Sequence, residues 1–416
     1  MITTGFAYIA VLFFICGGLA LLESTKHRFF NIIPGIVILY FVIMLLSTFG
    51  LWEKTNETTA AYKAVKDNLL PAMIFLLLLK GDLRQIAALG PKMIFTFIIA
   101  SFSIGIGFVL TFLALATWLP EDAWMTFAPL SGSWLGGGGN MAAVQGALDI
   151  PDSSMTNALL MDSINYAVWV VLLLAFVPLA PKFNKWTKSS TKLIDDIGAK
   201  LEAKAKDDNK IIDTSSLLFL IGLALGVSAL SQFLADYVLI AQFHITQFLA
   251  NNLPMLELSP PATLEAFLAE NHFLNAKTWR ILIATIFGAL AAMTMVGKMA
   301  GSSELGNVLL YGIVALIASR ANFTELNNAP LFVIAGFMIL AFHGIVMVSA
   351  AKLFKLDLFS CGVASLANIG GVASAPILAA AYSRSLVPIG VLMALLGYII
   401  GTGGGLLIGK ILQSLS

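Results

Sequence analysis

Ser131-Gly132-Ser133-Trp134-Leu135-Gly136-Gly137-Gly138-Gly139-Asn140-Met141-Ala142-Ala143 sets four consecutive glycines in a run otherwise apolar enough to enter a bilayer. Glycine at lipid depth marks either close helix packing or backbone that leaves helical geometry. Each glycine in a helix interior costs about 1 kcal/mol relative to alanine, so four together, flanked by serine and asparagine, predict a break. Unwound backbone at that depth is tolerated only where protein or a water-filled cavity satisfies its polar groups. Broken elements of this kind are where solutes bind in membrane carriers.

A second stretch, Ser360 to Pro376, answers the first near the C-terminus with small residues, Asn368 and the pair Gly370-Gly371. In both places a polar interruption follows, at Asp149-Ile150-Pro151-Asp152 and at Tyr382-Ser383-Arg384, and then a long apolar run. Interrupted segments at corresponding positions of two halves point to the binding site of a secondary transporter. The plainer reading is two small-residue faces for helix packing.

The bulk composition agrees with a membrane setting. Of 416 residues, 59% are hydrophobic and 11% charged, against about 25% charged in soluble domains. Mean hydropathy is +0.91. The net charge of +1 gives no electrostatic case for nucleic acid. Cys16 and Cys361 are far apart in apolar runs, so neither a structural disulfide nor a transition-metal site is expected. The N-terminus lacks a basic leader and reads as a retained first helix.

The fold class expected is an all-α polytopic membrane protein. Apolar runs long enough to span fall near 5–22, 31–50, 69–88, 92–119 and 154–181, then near 214–238, 281–298, 304–320, 330–351 and 385–412. Lys26, His27 and Arg28, then Lys80, Arg84 and Lys92, and then the lysine-rich connection from Lys182 to Asp213 all belong on the cytoplasmic side. Every one of them lands there if the glycine-rich element dips in and returns as a re-entrant hairpin. The second half then begins on the opposite side from the first, giving two inverted five-helix repeats. The predicted organisation is an N-terminal repeat over 1–182 with its break about 131–140, and a cytoplasmic linker over 183–213. A C-terminal repeat covers 214–416, with an outer-surface insertion of short amphipathic helices about 237–280 and a break about 360–376. A crossing, unwound helix in each half is the alternative, with a further span near 240–256.

If helix resumes after each break, Asn140 and Ser374 become N-caps, and two partly positive helix ends face the middle of the membrane. Such ends favour an anion, typically a carboxylate. The substrate-binding candidates are therefore Ser131, Ser133, Gly137, Gly138, Gly139, Asn140, Asn368, Gly370, Gly371 and Ser374; mutual capping of these groups is the structural alternative. Asp162, two turns into its helix with Ser163 and Asn165 beside it, is a costly intramembrane carboxylate and the first candidate for ion coupling. Ser360 could add an oxygen ligand for sodium, and His343 is a proton carrier or, more simply, a neutral hydrogen-bonded histidine. Gly401, Gly403, Gly404 and Gly405 suggest a close-packing face, with Thr402 as a lesser candidate. The glycine run lacks the Lys-Ser/Thr of a phosphate loop, and no nucleotide motif or His-Glu-x-x-His occurs, so an enzyme is not expected.

Ser131 to Asn140, the following Met141-Ala142-Ala143-Val144-Gln145, Leu160-Met161-Asp162-Ser163 and Asn368-Ile369-Gly370-Gly371 together resemble an uncharacterised bacterial multi-pass membrane family. That family is grouped with the cation–proton antiporter and anion transporter superfamily, whose members include sodium–glutamate, sodium–citrate and bile-acid sodium symporters. The resemblance implies inverted repeats, a scaffold that forms a homodimer, and a mobile core carrying both broken elements, in the bacterial cytoplasmic (inner) membrane. It supplies no substrate, and the adjacent aspartates of two-carboxylate antiporters are missing here. The function expected is a secondary active transporter of a small organic anion, such as a carboxylate, amino-acid derivative or short peptide. Coupling would be to sodium or protons, with no cofactor and alternating access of the elevator type. A cation–proton antiporter is the alternative, and a membrane-embedded enzyme or non-transporting subunit the third reading.

Overall fold

The computed structural model describes residues 1–25, 35–190, 212–252, 275–321 and 329–416, and among them the only regular elements are helices. The N-terminal half contains α1 (Gly5–Ser24), α2 (Gly35–Thr48), α3 (Asn56–Leu78), the short α4 (Leu83–Ala87) and α5 (Gly90–Leu115). It continues with α6 (Trp124–Gly136), α7 (Gly138–Ala147), α8 (Asp152–Phe176) and α9 (Ala180–Thr187). The C-terminal half contains α10 (Thr214–Asn252), α11 (Ala276–Ala292), α12 (Ser302–Ala318) and α13 (Ala329–Phe354). It ends with α14 (Leu358–Ile369), α15 (Gly371–Tyr382) and α16 (Val387–Leu415). Six helical stretches, beginning at Gly5, Gly90, Asp152, Thr214, Ala329 and Val387, are long and apolar enough to cross a membrane. Three of the six fall in each half, where α5 or α13 is followed by two short helices and a last long one, α8 or α16.

Two boundaries differ from the hydropathy reading for a physical reason. The third span was expected near 69–88, whereas α3 begins thirteen residues earlier at Asn56. Its first turns carry Glu57, Lys63, Lys66 and Asp67 and so fall outside any apolar window, yet a reciprocal Thr55–Thr58 capping box starts the helix there. The outer insertion expected from 237 is, up to Asn252, a continuation of α10 as one helix of 39 residues, because no breaker interrupts it. The rest of that segment up to residue 274, and most of the linker expected over 183–213, lie outside the described residues.

The glycine run breaks at a single residue. Gly136 ends α6 and Gly138 opens α7, while Gly137 between them takes φ 92° and ψ 171°, a conformation open to glycine alone. The chain then reverses: a Cβ on Gly132 of α6 would stand 2.8 Å from the Asn140 carbonyl oxygen and from Val144 of α7. The second break is built alike. Gly371 has φ 59°, and a Cβ on Gly362 of α14 would meet Leu378 of α15 at 3.3 Å. Both pairs are helical hairpins, not crossing helices.

Packing sorts the elements into two groups. α3 packs on α1, α10, α11 and α12, with α2 against α12, while α5, α8, α13, α16 and the hairpins pack chiefly on one another. The tightest seam is between α6 and α16. There, glycines at every fourth position of α16 form a groove. Added Cβ atoms would meet the Gly136 α-carbon at 3.2 Å from Gly397 and at 2.9 Å from Gly401. From Gly405 one would meet the Gly132 α-carbon at 2.8 Å, and from Gly409 the Ala128 side chain at 3.0 Å. On its other side α6 is held by aromatic edges, with Phe108 of α5 5.6 Å from Trp134 and 6.0 Å from Phe127.

Where α7 runs into α8, polar contacts tie one group to the other. Lys66 of α3 pairs with Asp152 of α8 at 2.9 Å, and Tyr62 donates to the same carboxylate at 2.5 Å. Gln145 of α7 donates to it at 2.8 Å. Lys277 reaches Asp149, and the Thr278 hydroxyl donates to the Ala147 carbonyl at 2.8 Å. This region also holds Arg320, 4.8 Å from the Tyr62 ring, and the Tyr8–Ser319 hydrogen bond.

Candidate functional site

The two hairpin tips meet. A Cβ on Gly137 would lie 3.7 Å from the Gly371 α-carbon, and Cβ atoms added at Gly137 and Gly371 would stand 3.1 Å and 3.9 Å from the Tyr398 ring of α16. Because α7 and α15 both start at these tips, two helix N-termini converge on one point. The first N–H groups of a helix have no intrahelical acceptor, and the aligned peptide dipoles make that end partly positive.

Beside the tips lies a cavity of about 710 Å³ between the two groups of helices. One wall consists of Ser133, Gly137 and Gly138 from the first hairpin, Gly370 and Val372 from the second, Asp162, Ser163 and Tyr166 from α8, and Tyr398. The facing wall comes from one face of α1, through Phe13, Cys16, Gly17, Ala20 and Glu23, and from the first turns of α12, through Glu304, Asn307, Val308 and Tyr311. Ile36 and Val37 of α2 complete it. A narrow apolar slit continues between the first hairpin and α2, lined by Met141, Ala142, Val37 and Val314.

Asp162 is brought to this cavity by α8 and held there by the first hairpin. Its Oδ1 accepts from the Trp134 indole N–H at 2.8 Å and from the Ser133 hydroxyl at 3.3 Å. One turn on, the Tyr166 ring packs against Gly370 at the second tip. Across the cavity Glu23 is engaged within its own group, accepting from the Tyr311 hydroxyl at 2.5 Å and the Gly35 N–H at 3.0 Å. Glu304 is exposed, and no side chain pairs with it among the described residues.

The sequence candidates divide sharply. Ser133, Gly137, Gly138, Asp162, Ser163 and Gly370 line the cavity, and Gly371 abuts the opposite tip. The Ser163 hydroxyl also donates back to the Leu159 carbonyl at 2.5 Å. Asn140 and Ser374 are not the N-caps expected, since Gly137 and Gly370 hold those positions. Asn140 donates to the Gly136 carbonyl at 2.8 Å and accepts from Thr402 at 2.5 Å, so its amide closes the break from behind. Asn368 lies within α14 ahead of the second break, donating to the Ala364 carbonyl of its own helix at 2.9 Å and accepting from Ser101 at 2.8 Å. Ser131 is turned to the Ala128 carbonyl, and Gly139 packs toward Leu77 of α3.

Three further candidates sit elsewhere. Asn165 faces α13, where its amide donates to the Val333 carbonyl at 3.0 Å. Ser360 belongs to the N-cap of α14, with its N–H on Asp357 Oδ1 at 2.8 Å, at the far end of that hairpin from the tip. His343 is fully buried between Ser103, 2.7 Å from Nδ1, and Ser365, 2.8 Å from Nε2, with Trp169 donating to the same Ser365 hydroxyl. It is a hydrogen-bonded core histidine outside the cavity. Among the described residues no cluster of three or more metal-ligating side chains occurs.

Glu23, Tyr166, Glu304, Tyr311 and Tyr398 join the site without having been singled out in the sequence. Glu23 stands just past the end of the first apolar run and Glu304 at the start of a later one, where nothing local marks them, and only the packing of α1 and α12 against the hairpins turns them inward. Tyr398 carried one signal, a hydroxyl in the middle of a long apolar helix.

A multi-pass helical membrane protein with paired helical hairpins around a shared cavity is thus defined by fold and site. The chain belongs to the family described as a protein of unknown function, DUF819, whose model matches residues 10–415. It is also 25% identical over 395 residues to the uncharacterized membrane protein YjcL of Bacillus subtilis (strain 168), covering 93% of this chain and 92% of that one.

Proposed function

We propose that the chain is a secondary active transporter of a small organic anion, coupled to sodium or protons, in the bacterial cytoplasmic membrane. The observation that carries this reading is the convergence of two helix N-termini on a cavity that also holds Asp162. The backbone ends favour a carboxylate and the aspartate favours a cation, so a solute and its coupling ion have adjoining places. In contrast to the expected docking on Asn140 and Ser374, the anion would rest on the backbone of Gly138 and Gly370, which face the cavity.

The repeated order of elements is read as two inverted repeats. The scaffold would be α1–α3 with α10–α12, dimerising with a second copy as in the family's resembling symporters. The core would be α5–α8 with α13–α16. Near the site the two are separated by a slit lined by small and apolar residues together with Asp162. Glu23, at one end of the cavity, is followed three residues on by Lys26, His27 and Arg28, so the conformer described here would be open toward the cytoplasm. Alternating access would then carry the core, with its tips, past the scaffold.

Thermal unfolding of the purified protein tests the reading, with organic anions screened in the presence and absence of sodium. Stabilisation by an anion that depends on sodium or on pH is the expected result, since a ligand of the native state alone raises its melting temperature by mass action. Asp162→Asn keeps an acceptor for Trp134 but removes the charge, and it should abolish the cation dependence; an unchanged dependence would separate Asp162 from coupling. Three carboxylates on the cavity wall favour a second reading, a cation–proton antiporter. Stabilisation by sodium or potassium alone, with no anion of any kind acting, would select it.

A further inference from the structure

We infer that the transported solute is a zwitterion, an amino acid or short peptide that offers an ammonium as well as a carboxylate. This rests on the carrier reading and narrows its substrate. The cavity itself is the site. Its side chains include three carboxylates, Glu23, Asp162 and Glu304, and no lysine, arginine or histidine among the described residues. The donors that favour an anion are the backbone N–H groups at the hairpin tips and neutral side chains such as Asn307 and Tyr398, none of which carries a positive charge.

With Asp162 left to the coupling ion, a solute carrying negative charge alone would bind those tips while facing the carboxylates of Glu23 and Glu304 on the opposite wall. At an effective dielectric of about 20, one like charge about 6 Å away lowers affinity by roughly a hundredfold. An ammonium on the same molecule reverses the sign of that interaction. The positions suit such a ligand. Gly137, Gly138 and Gly370 at the tips and Glu304 of α12 line the same cavity from its two walls. An amino acid or short peptide would place its carboxylate on the tips and its ammonium toward the carboxylates of the facing wall. Glu304 faces the same space from α12, exposed and with no side chain paired to it, whereas Glu23 is already engaged by Tyr311 and Gly35. Glu304 is therefore assigned to the ammonium from the scaffold side. A volume of about 710 Å³ lies within the range that encloses small ligands.

The test uses the full-length purified protein and thermal unfolding titrations. The probes are free amino acids of each side-chain class and simple dipeptides, each with its N-acetyl and C-amide counterpart, beside succinate, citrate and putrescine. A free zwitterion should stabilise the protein, and blocking either end should weaken binding at least tenfold. Glu304→Gln should weaken the free form about tenfold, the worth of one charge-assisted contact, and leave any N-acetyl form unchanged. Equal binding of the N-acetyl form, or stabilisation by succinate or citrate with no zwitterion acting, overturns the zwitterion while leaving an anion carrier. Binding of putrescine in place of zwitterions overturns it in favour of a cation site. No stabilisation by any probe, together with no uptake of them into proteoliposomes under a sodium or proton gradient, removes both readings.

Discussion

At the scale of single residues, Gly137 and Gly138 are neighbours with opposite tolerance for a side chain. Gly137 holds φ 92° and ψ 171° with the Tyr398 ring 3.1 Å from where a Cβ would go. Gly138 opens α7 with nothing within 4 Å of its missing methyl. Gly137→Ala should therefore lower stability by about 1–3 kcal/mol, the cost of a non-glycine residue in that region of backbone space. Gly138→Ala should be neutral or gain up to about 1 kcal/mol from helix propensity. Melting temperatures of the two variants check this, and equal losses would mean that the break is not fixed at Gly137. The sequence points at the glycine run without saying which glycine breaks. It also points at Asn140, yet the direction of that side chain depends on Thr402, 262 residues away and 2.5 Å distant in space. Polar residues near a break are legible as a set; which of them face the ligand is decided by partners that no local spacing reveals.

Among elements, the seam between α6 and α16 sets the position of the first hairpin. The groove follows Gly397, Gly401, Gly405 and Gly409, so alanine there would push a methyl against α6 backbone or side chains at 2.8–3.2 Å. Gly405→Ala should cost about 1–3 kcal/mol through overpacking, whereas Gly403→Ala, with nothing within 4 Å, should cost nothing. Unfolding of each variant in detergent distinguishes them, and equal tolerance would remove the groove as a packing constraint. The cluster 401–405 is visible in the sequence as a small-residue face, but its four-residue register runs outside that cluster and needs the partner helix to be seen. Six of the ten expected spans, near 5–22, 92–119, 154–181, 214–238, 330–351 and 385–412, coincide with helices long and apolar enough to cross, because length and apolarity fix them. The helices at the other four are shorter or more polar than a span. The start of α3 was not legible, since its charged first turns look like a connection until their partners on α8 and α12 are known.

On the scale of the whole molecule, the two groups of helices are joined by polar ties at the end of the fold away from Glu23 and Glu304. Tyr8 and Glu23 mark the two ends of α1, fifteen residues or about 22 Å apart. The tie centred on Asp152 is largely enclosed, with side-chain exposures of 12% for Lys66 and 16% for Asp152. Asp152→Ala strands Lys66, Tyr62 and Gln145 and should lower stability by about 1–3 kcal/mol. Adding Lys66→Met should return part of the loss, measurable as a double-mutant cycle on melting temperature. Additive losses would show that the pair does not couple the groups. The groove on α16 has one more consequence. It lies on a helix that begins only at Val387, while the hairpin it receives is complete by Ala147. At common synthesis rates the nascent chain spends on the order of tens of seconds with that hairpin's glycine face uncovered. Quality control in the cell therefore has its clearest target in the unfinished chain, and loss of α16 alone would expose a defect at the other half of the molecule.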